Sequence, residues 1–112
     1  MTRTRSAIST HVLDTALGRP AAGIGVLLQR YGGTTLDQAR TDGDGRVAGL
    51  GPEQLEVGTY RLVFDTGGYY GSAGQPGFFP EVVLTFAVAD PAAHYHLPLL
   101  LSPFGYSTYR GT

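Results

Sequence analysis

Apolar and polar residues alternate along short runs of this chain, and glycine, proline and small polar residues separate the runs. A period of two marks strands with one face in a core and one face outside it. Ile8–Leu13 opens the series, and Gly25–Tyr31 follows a turn at Gly18-Arg19-Pro20. Thr59–Asp65 is rich in β-branched and aromatic residues, the side chains that suit a pleated surface. Glu81–Val88, His94–Leu101 and Tyr106–Arg110 complete the set. Thr41-Asp-Gly-Asp-Gly-Arg46 is a turn sequence joining two strands, with glycines free to take positive φ. Thr34–Asp42 is too polar for a core helix, and only Gly67–Ala73 has room for a helical turn or two. The pattern predicts an all-β, two-sheet β-sandwich of about seven or eight strands with at most one short helix.

Alternation carries most information near the C-terminus. His94, His96 and Pro98 share one strand face, while Tyr95, Leu97 and Leu99 share the other. The second set is the natural core face, so the histidines belong to the outer side of their sheet. Leu100 continues the His96 parity. An outer face that is also apolar suggests cover from another subunit, and a small sandwich without a deep cleft needs assembly to build a site.

Composition narrows the function. At 112 residues the chain is read as one domain spanning 1–112, with 1–6 as a flexible N-terminal extension. The net charge is −1, and all 8 basic residues are scattered arginines. That gives no basic stripe for nucleic acid or an anionic membrane. Cysteine is absent, which removes disulfides, thiolate nucleophiles and zinc-thiolate sites together. No apolar run approaches the roughly 18 residues of a membrane helix. No apolar segment of the signal-peptide kind follows the first charges, so a cytoplasmic location is expected.

The candidate chemistry is small. His11, His94 and His96 are the three histidines and hold the acid–base capacity near neutral pH. No serine sits in a nucleophile elbow, and there is no phosphate-binding glycine loop with its lysine. His94-Tyr-His96 with a distal third histidine can bind zinc and activate water. It can equally do metal-free general-base work, or be a solvated or interface pair. Asp42-Gly-Asp-Gly45 resembles a calcium loop only superficially, because Arg46 occupies the third ligand position. Arg46 is then a surface residue or a cation aimed at an anionic substrate. The tail Tyr106–Thr112 carries two tyrosines and an arginine; it is an edge strand, or a terminus held because its side chains line a site.

Two segments taken together are distinctive. Thr10-His-Val-Leu-Asp14 is followed by Gly18-Arg-Pro-Ala21, and the chain ends His94-Tyr-His-Leu-Pro-Leu-Leu-Leu-Ser-Pro-Phe-Gly-Tyr-Ser-Thr-Tyr-Arg-Gly-Thr112. Phe78–Val82 and the Thr41–Arg46 turn fit the same pattern. The sequence closely resembles the transthyretin-like family and, within it, the 5-hydroxyisourate hydrolases, over nearly the whole chain from Ile8. The resemblance implies a transthyretin-type sandwich forming a homotetramer, a dimer of dimers with active sites in channels at the dimer–dimer interface. It implies hydrolytic opening of the 5-hydroxyisourate ring to 2-oxo-4-hydroxy-4-carboxy-5-ureidoimidazoline, with no cofactor and no metal.

Position by position, the resemblance carries the site onto His11, Arg46, His96 and Tyr109. His96 is favoured over His94 as the channel-lining histidine, and His94 is a second candidate for substrate contact. The expected division of labour has His11 and His96 deprotonating water, Arg46 holding negative charge, and Tyr109 shaping the site. The family ends Tyr-Arg-Gly-Ser, whereas Thr112 stands here, keeping the hydroxyl and adding a methyl. Competing readings are a non-catalytic carrier of a small aromatic ligand, a zinc-dependent hydrolase on the same fold, and an immunoglobulin-like interaction module.

Overall fold

The alternation read from the sequence appears directly in the burial of the computed structural model, which describes residues 6–112. In β1 (Ile8–Asp14), Ile8, Thr10, Val12 and Asp14 are buried, while Ser9, His11 and Leu13 are half-buried on the opposite face. In β8 (Tyr95–Ser102), Tyr95, Leu97, Leu99 and Leu101 point into the core and His96, Leu100 and Ser102 lie outside it. Pro98 shares the outer parity and is nevertheless buried; the Thr108 hydroxyl donates to its carbonyl at 2.7 Å.

The remaining strands are β2 (Arg19–Pro20), β3 (Gly25–Arg30), β4 (Thr35–Arg40), β5 (Arg46–Leu50), β6 (Gly58–Phe64), β7 (Val82–Val88) and β9 (Gly105–Thr108). Together they make nine strands among the described residues, one above the expected range. The extra one is the two-residue β2, too short to show any periodicity. The single helix among the described residues, α1 (Thr66–Ser72), falls where glycines weakened the expectation of one. Asp65 compensates by capping it, accepting a hydrogen bond from the Gly68 N–H at 2.9 Å. No helix among the described residues is long and apolar enough to cross a membrane.

Two sheets face one another. One runs β2-β1-β8-β9 with β5 also paired to β1, and the other runs β4-β3-β6-β7. Ile8, Val12, Leu99 and Leu101 from the first sheet meet Val26, Leu28, Leu62 and Phe64 from the second in the buried core. Of the expected extension, residues 1–5 lie outside the described residues. Ser6 is placed: its carbonyl accepts a hydrogen bond from His94 Nδ1 at 2.8 Å.

The turn between β4 and β5 sets the position of Arg46. Asp42 closes it, its Oδ1 accepting from the Asp44 and Arg46 N–H groups at 2.9 Å each. The Arg46 N–H above all holds the Asp42 carboxyl below the usual carboxylate range. The carboxylate that resembled a calcium ligand is thus a turn cap. Gly45 is buried at φ +75°, its carbonyl accepting from the Val12 N–H at 2.7 Å. A Cβ there would collide with the Val12 carbonyl oxygen. Gly45→Ala is therefore expected to destabilise the fold by about 2 kcal/mol or more, measured as a lower urea midpoint. An unchanged midpoint would show that the turn is not locked to β1.

Candidate active site

Three strands build one outward face. β1 pairs parallel with β8, placing Ser9 beside His96 and His11 beside Pro98. β5 pairs antiparallel with β1 on the other side, placing Arg46 beside His11. By the period of two, Ser9, His11 and His96 share the face turned away from the core. His94 lies just before β8, one step beyond the Tyr95–Ile8 pair. Chain segments separated by 87 residues in sequence thus touch through the Ser9 and His96 side chains.

Each histidine is held by a defined partner. His11 Nε2 lies 2.8 Å from the Asp44 carbonyl oxygen. A carbonyl only accepts, so Nε2 carries the proton and Nδ1 is the basic nitrogen of the neutral ring. Ser9 Oγ lies 2.7 Å from His94 Nε2 and 2.8 Å from His96 Nδ1. Ser9 was not among the residues expected from sequence.

Burial, more than any other cause, pushes the His96 pKa below its ordinary value of 6.5; the Arg46 cation, His11 and His94 add to the fall, and a hydrogen bond with Ser9 opposes it. The result is an imidazole kept neutral to lower pH, ready to accept a proton. Among the described residues no carboxylate lies within ion-pair range of Arg46; the ion pair present joins Arg30 and Glu56 at 3.9 Å. An arginine uncommitted to a carboxylate on a sheet face is suited to an anion.

The C-terminus closes one side. The Gly111 N–H donates to the His96 carbonyl at 2.8 Å, and a Cβ on Gly111 would stand 2.5 Å from His96 Cδ2. Only glycine lets the tail pass so close to the ring. Ser9, Arg46, His96 and Thr112 line a shallow depression of about 280 Å³. A larger cavity of about 580 Å³ on the other sheet is lined by Arg40, Asp65 and Glu81 but by no histidine, so size does not pick out the site.

Tyr109 is not brought into this depression within the chain. It is 61% exposed and lines a separate cavity beside β7 and β8, together with Arg110. Alternation from Thr108, which pairs with Leu99, nevertheless assigns Tyr109 to the outer face. No three His, Cys, Asp or Glu side chains among the described residues form a metal-binding group. His94 Nε2 and His96 Nδ1 are each hydrogen-bonded to the Ser9 hydroxyl, an arrangement unlike a shared zinc ligand set.

The HIUase/Transthyretin family profile matches residues 8–111. The chain belongs to this family. A 5-hydroxyisourate hydrolase of Caulobacter vibrioides is 46% identical over 96% of this chain and 99% of its own. A second, 5-hydroxyisourate hydrolase 2 of Rhizobium meliloti, is 50% identical over 94% of this chain and 95% of its own. Among solved structures, the 5-hydroxyisourate hydrolase of Klebsiella pneumoniae superposes with a TM-score of 0.88 at 40% identity, covering 96% of this chain and all of that one. Transthyretin from Sparus aurata follows the same fold with a TM-score of 0.87 at 32% identity, covering 96% of this chain and 97% of its own. The HIUase/Transthyretin fold therefore accommodates both a hydrolase and a transthyretin.

The electrostatics of the β1–β5–β8 face predict a titration. In a histidine-resolved NMR titration, His96 is expected to titrate below 6.5, and Arg46→Ala to move its midpoint upward because a neighbouring cation is removed. A midpoint that stays put in Arg46→Ala would show that the guanidinium does not act on His96.

Proposed function

We propose that this protein is a 5-hydroxyisourate hydrolase, opening the substrate ring to 2-oxo-4-hydroxy-4-carboxy-5-ureidoimidazoline. The observation that carries the reading is the convergence of His11, Arg46 and His96 on one strand face. The names of its relatives support 5-hydroxyisourate as the substrate.

In the proposed mechanism a histidine, His96 or His11, accepts a proton from water as its oxygen attacks a ring carbonyl. Negative charge gathers on the carbonyl oxygen, where Arg46 stabilises it. The tetrahedral intermediate collapses by breaking the ring carbon–nitrogen bond, and the leaving nitrogen takes the proton that the histidine received. The carbonyl carbon becomes the new carboxylate. Thr112 borders the site, and Tyr109, outside the depression within the chain, would shape it only in the assembly. No metal takes part in this scheme.

The proposal includes assembly as a dimer of dimers, with the β1–β5–β8 face lining a channel between dimers. Support comes from the site's openness: a face with Arg46 exposed and the histidines half-buried cannot by itself exclude water from a small substrate. Leu100 on that same face offers apolar contact to a second copy.

The test is the ultraviolet decay of freshly generated 5-hydroxyisourate, with and without protein and with and without EDTA. Decay well above the spontaneous rate and unaffected by EDTA is expected. His11→Ala, Arg46→Ala and His96→Ala should each lower kcat/KM by about 10²-fold or more. Light scattering should give about four times the 11.8 kDa chain mass. Spontaneous decay only, from a folded tetramer, would favour a carrier; a monomer at micromolar concentration would overturn the interface site.

A further inference from the structure

One set of contacts at this site is not used by the scheme above. The Ser6 carbonyl, His94, Ser9 and His96 form a continuous hydrogen-bonded row, with separations of 2.8, 2.7 and 2.8 Å. The row has a direction that hydrogen-bond chemistry fixes. Ser6 contributes a carbonyl oxygen, which cannot donate, so His94 Nδ1 must carry a hydrogen. In a neutral His94 ring the other nitrogen, Nε2, is then an acceptor, and the Ser9 hydroxyl donates to it. A hydroxyl has one hydrogen. With that hydrogen given to His94, Ser9 Oγ meets His96 as an acceptor, so the hydrogen in their contact belongs to His96 Nδ1.

We propose that Ser9 and His94 are positioning residues that hold neutral His96 with its proton on Nδ1, leaving Nε2 as the nitrogen able to take a proton from water. The catalytic consequence rests on the hydrolase reading; the proton assignment does not. An unrestrained imidazole exchanges between two neutral forms, and the one protonated at Nε2 would offer that nitrogen as a donor only. The row removes that form by giving its Nδ1 no hydrogen to accept. Side-chain orientation by a hydrogen-bonded neighbour is the way a buried partner sets the tautomer of a catalytic histidine.

The charged and titratable groups around His96 act in the same sense. Arg46 on β5, His11 on β1 and His94 before β8 all disfavour a second proton on the ring. The lowered pKa favours the neutral ring, the state in which the tautomer matters. Gly111 fixes the ring from the other side, since nothing larger fits against Cδ2.

Nitrogen-15 NMR of histidine-labelled full-length protein, at a pH above the histidine titrations, reads the tautomer directly. The expected spectrum shows His96 Nδ1 protonated and Nε2 bare. Ser9→Ala should release the ring to a mixture of forms and lower kcat by about tenfold or more with little change in KM. Ser9→Thr keeps the hydroxyl and should restore both the spectrum and the rate. A wild-type His96 protonated on Nε2 overturns the proposal, with no variant needed. So does a folded Ser9→Ala protein with the wild-type tautomer and rate. Should Ser9→Ala fail to fold, a Ser9→Thr protein in which the tautomer is lost would overturn it as well. A bare Nε2 in wild-type protein that leaves 5-hydroxyisourate untouched supports the proton assignment and overturns the hydrolase reading alone.

Discussion

Parallel pairing of β1 with β8 sets the first strand of the fold beside its penultimate one, and the outward side chains of the site take their places from that register. The core enforces the register. Leu97, Leu99 and Leu101 alternate with the outer residues of β8, and Ile8 and Val12 alternate with Ser9 and His11. A slip by one residue would turn a whole strand over, putting three leucines outside and His96 inside. Each leucine loses about 1.5–3 kcal/mol when its burial is undone, so the slip is excluded by several kcal/mol. The apolar face that contributes nothing to chemistry is what holds the chemical face in line.

On that face the electrostatics are one-sided. Arg46 is placed by a turn whose nearby carboxylate, Asp42, is occupied with backbone N–H groups. Asp44 meets His11 through its backbone carbonyl. The cation therefore keeps its charge for a ligand, while the same charge, with burial, holds His96 neutral. An anionic substrate and a neutral base are both favoured by a single arginine. A carboxylate paired with Arg46 would weaken the two effects together, because it would satisfy the guanidinium and draw the imidazole toward its protonated form.

Much of this arrangement was legible in the sequence. Alternation in His94–Leu101 was sufficient to send Leu97 and Leu99 inward and His96 outward, because the period of two belongs to the strand and not to its neighbours. The turn at Thr41–Arg46 was readable from its Asp-Gly pairs, and the structure supplies the reason in the Asp42 cap. Pairing partners were not readable. Nothing local in Ile8–Asp14 says that it lies beside β8 or that Arg46 faces His11; those are long-range choices made by the packing of two sheets. Resemblance, not periodicity, joined His11, Arg46 and His96 beforehand. Ser9 escaped notice because a serine in a strand carries no signature of its own, and its role exists only once His94 and His96 are seen on either side of its hydroxyl. Tyr109 shows the opposite limit: the tail motif singled it out, yet in the chain it lines a different cavity from His96.

The proposed assembly follows from a mismatch between the chemistry on the face and its shape. General-base attack by water is most effective where bulk solvent is shut out and fixed charges act at low dielectric. A depression of about 280 Å³ on an outward sheet face holds Arg46 and His96, with His11 on the same face outside its lining, but it lacks enclosure. Within the chain, the tail already covers one side, with Gly111 against the His96 ring and Thr112 at the rim. The uncovered side is bounded by Arg46, exposed on β5. A second copy of the same face would bring apolar residues such as Leu100 into contact and turn two shallow depressions into one channel. Two-fold symmetry makes such a channel carry paired sites, since whatever one copy presents its partner presents in return. In the proposed assembly the sandwich can thus stay small, with a core devoted to register, while the cavity that the chemistry needs would be made by association.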